Sequence, residues 1–231
     1  MKKFLILTSI TNGKDKLLDP TTKFDNCDYI AFVDKKEDVK IWEQRSIFNF
    51  SSIDNYKHRR NAKPYKIISS VMFPDYEYII WEDGNHQLKK DPQLILDEYG
   101  DSDFYLFKHP DRECLYEELQ ACLNWRLDDP VNLQNQYNFY RNVGYPNKNG
   151  LYELSTFIVK NTQDVKELQL MWFEQIIRFS SRDQISLPFC IWNKDIKDKI
   201  KLLRGFSNIF SMGGQNIGNE YFDDQGRHLK Y

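Results

Sequence analysis

Tyr78-Ile79-Ile80-Trp81-Glu82-Asp83-Gly84-Asn85 is a short apolar run that stops at two acids, a glycine and an amide. Successive apolar residues bounded by turn formers read as a buried strand that ends in a tight turn. A carboxylate and an amide two residues apart at the end of such a strand can face one small volume. Oxygen donors of this kind suit a hard divalent cation, Mg²⁺ or Mn²⁺, and Asp83 and Asn85 are the candidate ligands. The same residues also make an ordinary Asp-Gly turn that binds nothing. The rest of the chain has to choose between these readings.

With 231 residues the chain is long enough for one substantial core. It is read as a single domain over 1–231, with 205–231 as a tail of flexible composition. Hydrophobic residues at 41% and charged residues at 29% mark a globular protein and not a disordered one. A formal net charge of -2 gathers neither nucleic acid nor an anionic membrane, so any phosphate must be met by local basic groups. Cys27, Cys114, Cys122 and Cys190 lack zinc-type pairing, and a reducing, cytoplasmic setting is expected. Met1-Lys2-Lys3 precedes only the apolar residues 4–7, too few for a signal segment, and no later run is long enough to span a membrane.

Upstream of the opening stretch, residues 4–7 read as a strand buried on both faces. The polar loop that follows contains Gly13 and Lys14-Asp15-Lys16, the kind of strand-to-loop junction where open α/β sheets bind ligands. The glycine patterns of the Walker and dinucleotide motifs are absent. A second strand over 29–33 ends in Asp34, which either holds a nucleoside hydroxyl or base edge or starts a turn. A further short strand is expected within 35–50. Tyr56-Lys57-His58-Arg59-Arg60-Asn61-Ala62-Lys63 is a dense basic run before Pro64 and the apolar Ile67, Ile68, Val71 and Met72. That pattern is a helix packed on the sheet, with Pro64 at an early turn or a break. Arg60 and Lys63, three apart, can share a face and neutralise a diphosphate. A solvated charged surface is the other reading of the same run.

Downstream, a short helix is expected over 88–100 and a strand over 103–107 that leads to His109, a metal ligand, an acceptor contact or a plain strand-end histidine. A helix follows over 115–127, then an amide- and aromatic-rich stretch over 130–149 with one or two helical turns at 136–140. Residues 151–159 read as a strand carrying Glu153, and 164–179 as a helix packed through Val165, Leu168, Met171, Trp172, Ile176 and Phe179. It stops in Ser180-Ser181-Arg182-Asp183-Gln184, a polar break before the apolar 185–192. Asp183 can project into a cleft from there, although a helix cap and turn also account for the break. A basic and acidic mixture over 194–204 and a glycine-rich stretch over 212–219 precede the C-terminal residues.

In their order and spacing, these motifs resemble a family of glycosyltransferase-like domains first described in plant proteins linked to mucilage and pectin, with similar bacterial and viral capsule-type enzymes. The resemblance rests on Thr8-Ser9-Ile10 with Asp15, on Asp28 through Asp34, and on Lys63 and Lys66 before Phe73-Pro74. It continues through Trp81 to Asn85, His109-Pro110-Asp111-Arg112 with Tyr116-Glu117-Glu118, then Tyr140, Gly144, Glu153, Trp172-Phe173 and Phe179 to Gln184. It implies a single-domain α/β fold of the GT-A type, a mixed central sheet with helices on both faces. It also implies metal-assisted transfer of a sugar from a nucleoside diphosphate sugar, UDP-linked, to a hydroxyl of a saccharide acceptor. In that scheme Thr8, Asp15 and Asp34 hold the nucleoside, Arg60 or Lys63 the diphosphate, and Asp83 and Asn85 the Mn²⁺ or Mg²⁺. Asp183 lies at the active cleft with Arg182 and Glu153, as general base if the reaction inverts configuration and as an orienting or stabilising group if it retains. The chain departs from the family pattern at Glu82, often apolar there, and in the glycine-rich tail. Two rivals remain. A nucleotidyltransferase or phosphohydrolase would want the second carboxylate that Glu82 can supply, and a non-catalytic carbohydrate-binding protein would not need the basic run.

Overall fold

The structure is a computed structural model that describes residues 2–51 and 56–212. The chain first lays down β1 (Lys2–Ile10), β2 (Cys27–Val33) and β3 (Glu43–Ser46), then α1 (Lys57–Ile67), α2 (Ser69–Met72) and β4 (Tyr76–Glu82). These four strands are parallel and lie in the order β3-β2-β1-β4. After β1 the chain moves to one side through β2 and β3, then returns to place β4 on the other side of β1. That reversal makes the carboxyl ends of β1 and β4 the switch point of the sheet, the place where open α/β sheets leave a crevice.

There follow β5 (His86–Leu88), α3 (Pro92–Tyr99), β6 (Phe104–Lys108), α4 (Leu115–Asn124), α5 (Pro130–Asn142) and β7 (Tyr152–Lys160). The described chain ends with α6 (Gln163–Arg178), α7 (Asp183–Lys194), β8 (Ile200–Leu203), α8 (Phe206–Ile209) and β9 (Phe210–Met212). β7 runs antiparallel between β4 and β6, and β8 extends the far edge parallel to β6, giving a seven-stranded mixed sheet. β5 and β9 form a separate antiparallel pair, Gln87 opposite Ser211.

Two cores follow from the alternation of side chains along the strands. Leu5, Leu7, Ile79, Trp81, Phe157 and Val159 face α1, α4, α5, α6 and α7. Phe4, Ile6, Ile80 and Ile158 face the other way, toward Ile95 and Leu96 of α3 and Phe210 of β9. The fold is thus the GT-A-like α/β arrangement that the resemblance implied, helices on both faces but most of them on one.

Several boundaries differ from the sequence reading, and caps explain most of them. The helix expected over 88–100 starts at Pro92, because the Asp91 carboxylate accepts the Gln93 N–H at 2.8 Å, and the residues before it form β5. The short turns expected at 136–140 are part of a 13-residue helix begun by Asp129, which accepts the Val131 and Asn132 N–H groups at 2.9 Å. Pro64 neither begins nor breaks a helix; it lies inside α1, which continues to Ile67. Residues 206–212 form α8 and β9, and the rest of the expected tail lies outside the described residues.

Candidate functional site

The turn after β4 is held in a fixed pose. The Asp83 N–H continues the ladder by donating to Ser155 O at 2.8 Å, and His86 N–H donates back to Asp83 O at 2.8 Å. Alternation sends Asp83 toward α1 and Glu82 into the opposite core. Trp81 Nε1–H donates to Asp83 Oδ1 at 2.7 Å, and Lys66 Nζ lies 3.4 Å from the same oxygen. At Gly84 a Cβ would sit 2.7 Å from Ile10 Cγ1 and 3.1 Å from Asp15 Cβ, so glycine is what lets the loop after β1 close on the turn. Asp15 comes close enough for burial, and then the Asp83 charge, to raise its pKa above the ordinary carboxylate value.

Lys66 is also 2.7 Å from Asp183 Oδ2, and Lys63 is 2.8 Å from that same oxygen. Two ammonium groups from one face of α1 therefore grip one buried carboxylate at the first turn of α7. Burial alone would push Asp183 up, but the two lysines hold it far below the usual carboxylate range. Burial lowers Lys63 to about 8 despite Asp183. Lys66, equally buried, is kept above its ordinary value by Asp183 and Asp83. The start of α7 is pinned by neighbours: the Ser181 N–H donates to Asp128 Oδ2 at 2.8 Å and the Ser180 hydroxyl to Gln136 Oε1 at 2.5 Å. Trp172 Nε1–H donates to Asp183 O at 3.3 Å.

The remaining candidates divide. Glu153 is half-buried, accepts the Ser155 N–H at 2.8 Å and Gln184 Nε2 at 3.3 Å, and its charge is felt by Lys66, His86 and His109. Asp34 is exposed at the end of β2, where it accepts the Asn12 N–H at 2.5 Å and so fixes the left-handed Asn12-Gly13 turn of the loop that carries Asp15. Arg182 does not pair with Asp183; its Nη2 lies 3.5 Å from Glu118 Oε1 and 3.3 Å from Gln184 Oε1. Thr8 is buried, and its hydroxyl has no hydrogen-bond partner among the described residues. Arg60 is engaged at the end of α6. Its guanidinium donates to Ile176 O at 2.5 Å and Phe179 O at 2.9 Å, which closes the end of α6 and leaves Lys66, not Arg60, as the partner of Lys63. His109 is a strand-end histidine: Nδ1 accepts the Asp111 and Arg112 N–H groups at 3.2 and 3.1 Å, Nε2 lies 3.2 Å from Arg112 Nη2, and burial, then the Arg112 charge, lowers its pKa.

Glu82 settles the question of the extra acid. It is paired with Thr156 across the ladder and buried, its Oε2 accepts the Leu88 N–H at 2.9 Å, and burial raises its pKa to about 8. This carboxyl group is turned into the opposite core, away from the side chain of Asp83.

Whether the turn suits a divalent cation is a matter of donors. No group of three or more His, Cys, Asp or Glu side chains is gathered as a ligand set among the described residues. The Asp83 side chain is 40% exposed, and the indole N–H fixes Oδ1 while Oδ2 has no such bond. Asn85 is buried, its Oδ1 2.7 Å from His86 Nδ1, and an amide oxygen has a second lone pair. One carboxylate and one carbonyl oxygen fit the way Mg²⁺ or Mn²⁺ is held beside phosphates, most of the shell coming from water and substrate.

A mixed α/β sheet with an acidic turn and a lysine pair at its switch point defines a GT-A-like domain. Residues 9–210 match the family model described as the TOD1/MUCI70 glycosyltransferase-like domain, and the chain belongs to that family. The probable hexosyltransferase MUCI70 of Arabidopsis thaliana is 29% identical over 185 residues, 73% of this chain. The chain spans 29% of the length of that relative. Among solved structures, the mannosyltransferase Ktr4p from S. cerevisiae has a TM-score of 0.49 at 13% identity, with 90% of this chain and 70% of that one covered. The galactosyltransferase LgtC, in complex with donor and acceptor sugar analogues, has a TM-score of 0.45 at 9% identity, over 86% of this chain and 72% of that one.

Proposed function

We propose that the protein is a metal-assisted glycosyltransferase that moves a sugar from a nucleoside diphosphate sugar, UDP-linked, to a hydroxyl of a saccharide. The observation that carries this reading is the convergence of Asp83, Lys63, Lys66 and Asp183 at the switch point of the sheet. Family membership supports it, and the name of the Arabidopsis relative makes hexosyl donors the first to try. A Mn²⁺ or Mg²⁺ ion held by Asp83 and Asn85 would supply charge stabilisation to the departing diphosphate. Lys63 and Lys66 add fixed positive charge at the same place, where it is most effective against charge that develops during bond breaking. Asp15 and Asp34 shape the loop that would take the nucleoside.

Asp183 suits one of its two expected roles. A general base needs a proton affinity near the working pH, and a carboxylate clamped by two ammonium groups has very little. Asp183 therefore orients the lysines, and Glu153 is the half-buried carboxylate available to the acceptor hydroxyl. The placement of Glu82 in the other core supports this reading over a nucleotidyltransferase or phosphohydrolase, which would want that carboxylate beside Asp83. A reducing, cytoplasmic setting belongs to the same proposal.

The test is incubation with UDP-, GDP- and CMP-sugars, Mn²⁺ and saccharide acceptors, with mass detection of products. Acceptor-dependent release of UDP together with a glycosylated product is expected. Release of inorganic phosphate or of a nucleoside monophosphate would place the protein in the rival enzyme class, and binding of glycans without turnover would make it a lectin-like module.

A further inference from the structure

We propose that Lys66 is a tethered cation that keeps a bare divalent ion off Asp83 and admits it only in company with a diphosphate. The inference rests on the metal-assisted reading above and concerns the form in which the metal arrives. Its basis is an imbalance of charge. Lys63 and Lys66 share a single carboxylate oxygen of Asp183, so the trio carries one surplus positive charge in a buried setting, offset by Asp83 in contact and by Glu153 at longer range. That surplus is turned toward Asp83, 3.4 Å from Lys66 Nζ, and Lys66 also lies over the Trp81 ring at 5.5 Å from its centroid.

Neither partner is free to step aside. The indole N–H of Trp81 anchors Asp83 Oδ1, and Lys66 is a buried side chain of α1 whose carboxylate partner Asp183 is fixed at the start of α7. Any cation bound by Asp83 is therefore a close neighbour of a buried ammonium, and repulsion between them is little screened. A nucleoside diphosphate reverses the sign, since its negative charges are attracted by the lysines and by the metal alike. Metal and diphosphate are then coupled ligands, each strengthening the other by the same factor. A purely structural Lys66, present only to neutralise Asp183, would leave metal affinity unchanged when removed.

The experiment titrates Mn²⁺ into the full chain, with free Mn²⁺ read by electron paramagnetic resonance, alone and with saturating UDP, after correction for Mn²⁺ bound by UDP in solution. The wild type should bind Mn²⁺ at least about tenfold more tightly with UDP than without. Lys66→Met should bind Mn²⁺ alone about tenfold more tightly than wild type and Mn²⁺ with UDP more weakly, whereas Lys66→Arg, which keeps the charge, should behave as wild type. Equal Mn²⁺ affinity of the wild type with and without UDP overturns the proposal, a reading that needs no variant to fold. So does a well-folded Lys66→Met that binds Mn²⁺ alone no better than wild type. If UDP binds but Mn²⁺ binds to none of the proteins under either condition, the metal-assisted reading falls together with this one.

Discussion

At the scale of single residues, Asp183 shows how an environment selects a role. From the sequence it is one acid in a polar break, equally suited to a cap or to chemistry. In the structure it is the shared partner of Lys63 and Lys66, and removal of its charge takes the nearest carboxylate from both buried ammonium groups and leaves Lys66 with Asp83 alone in contact. Asp183→Asn should therefore cost about 3–5 kcal/mol of stability, more than an ordinary loss of catalytic charge would. Because its folded pKa is depressed, this contribution is full above the unfolded value near 3.8 and is lost as the pH falls below it. Urea unfolding of both proteins at pH 7 and pH 3 checks the prediction. Equal stability at pH 7 would mean that the lysines do not depend on this carboxylate. The parts played by Lys66 and Trp81 are hidden in the sequence for two different reasons. The i, i+3 argument that joins Arg60 to Lys63 applies equally to Lys63 and Lys66, but a proline between them reads as an early turn or a break and hides their common face, so Lys66 enters the sequence reading only through the family resemblance. Trp81 gave no sign of its part either, because an indole in an apolar run reads as core and its N–H partner is two residues on.

At the scale of elements, periodicity carried the long pieces and failed on the short ones. α6 and the strands β1, β2, β4 and β7 were legible because their apolar runs are continuous or follow one helical face. β5 and β9 were not, since three residues are too few to show a period and their pairing depends on chain far apart. Arg60 belongs to this scale because it joins two helices. Its donations to Ile176 and Phe179 occupy carbonyls that the end of α6 leaves open, in a buried place where water cannot replace them. Arg60→Met should lower stability by about 2–4 kcal/mol through the loss of charge-assisted bonds, while UDP affinity measured well below the melting temperature stays within about twofold of wild type. Calorimetry of UDP beside thermal melting decides it. Normal melting with a large loss of UDP affinity would return Arg60 to the diphosphate.

At the scale of the whole molecule, Glu82 connects the two sheets. Its carboxyl group leaves the end of β4 and receives the N–H of Leu88, the residue that pairs with Phe210 of β9. Because the folded pKa is raised from 4.5 to about 8, the folded state holds a proton that the unfolded chain releases. Stability from this group is full below about 4.5 and declines as the pH rises, until the folded carboxyl ionises near 8. Relative to Glu82→Gln, the wild type should lose about 1.4 kcal/mol for each pH unit across that window. Unfolding curves of the pair at pH 5, 6, 7 and 8 measure it, and a constant difference between them would show that Glu82 is ionised in the folded protein.

The position of β7 has a consequence for the birth of the protein. β4 and β6 are consecutive long strands of the large sheet in the sequence, yet neither touches the other in it; the space between them is filled by a strand that leaves the ribosome only after α4 and α5 have emerged. Until then β4 has one open edge, and it is the edge that leads into the Asp83 turn. Unpaired edges of this kind are where growing chains associate wrongly. The nascent chain must thus be kept soluble through a long interval of translation, and the Asp83 turn becomes fixed only when Ser155 arrives to receive the Asp83 N–H.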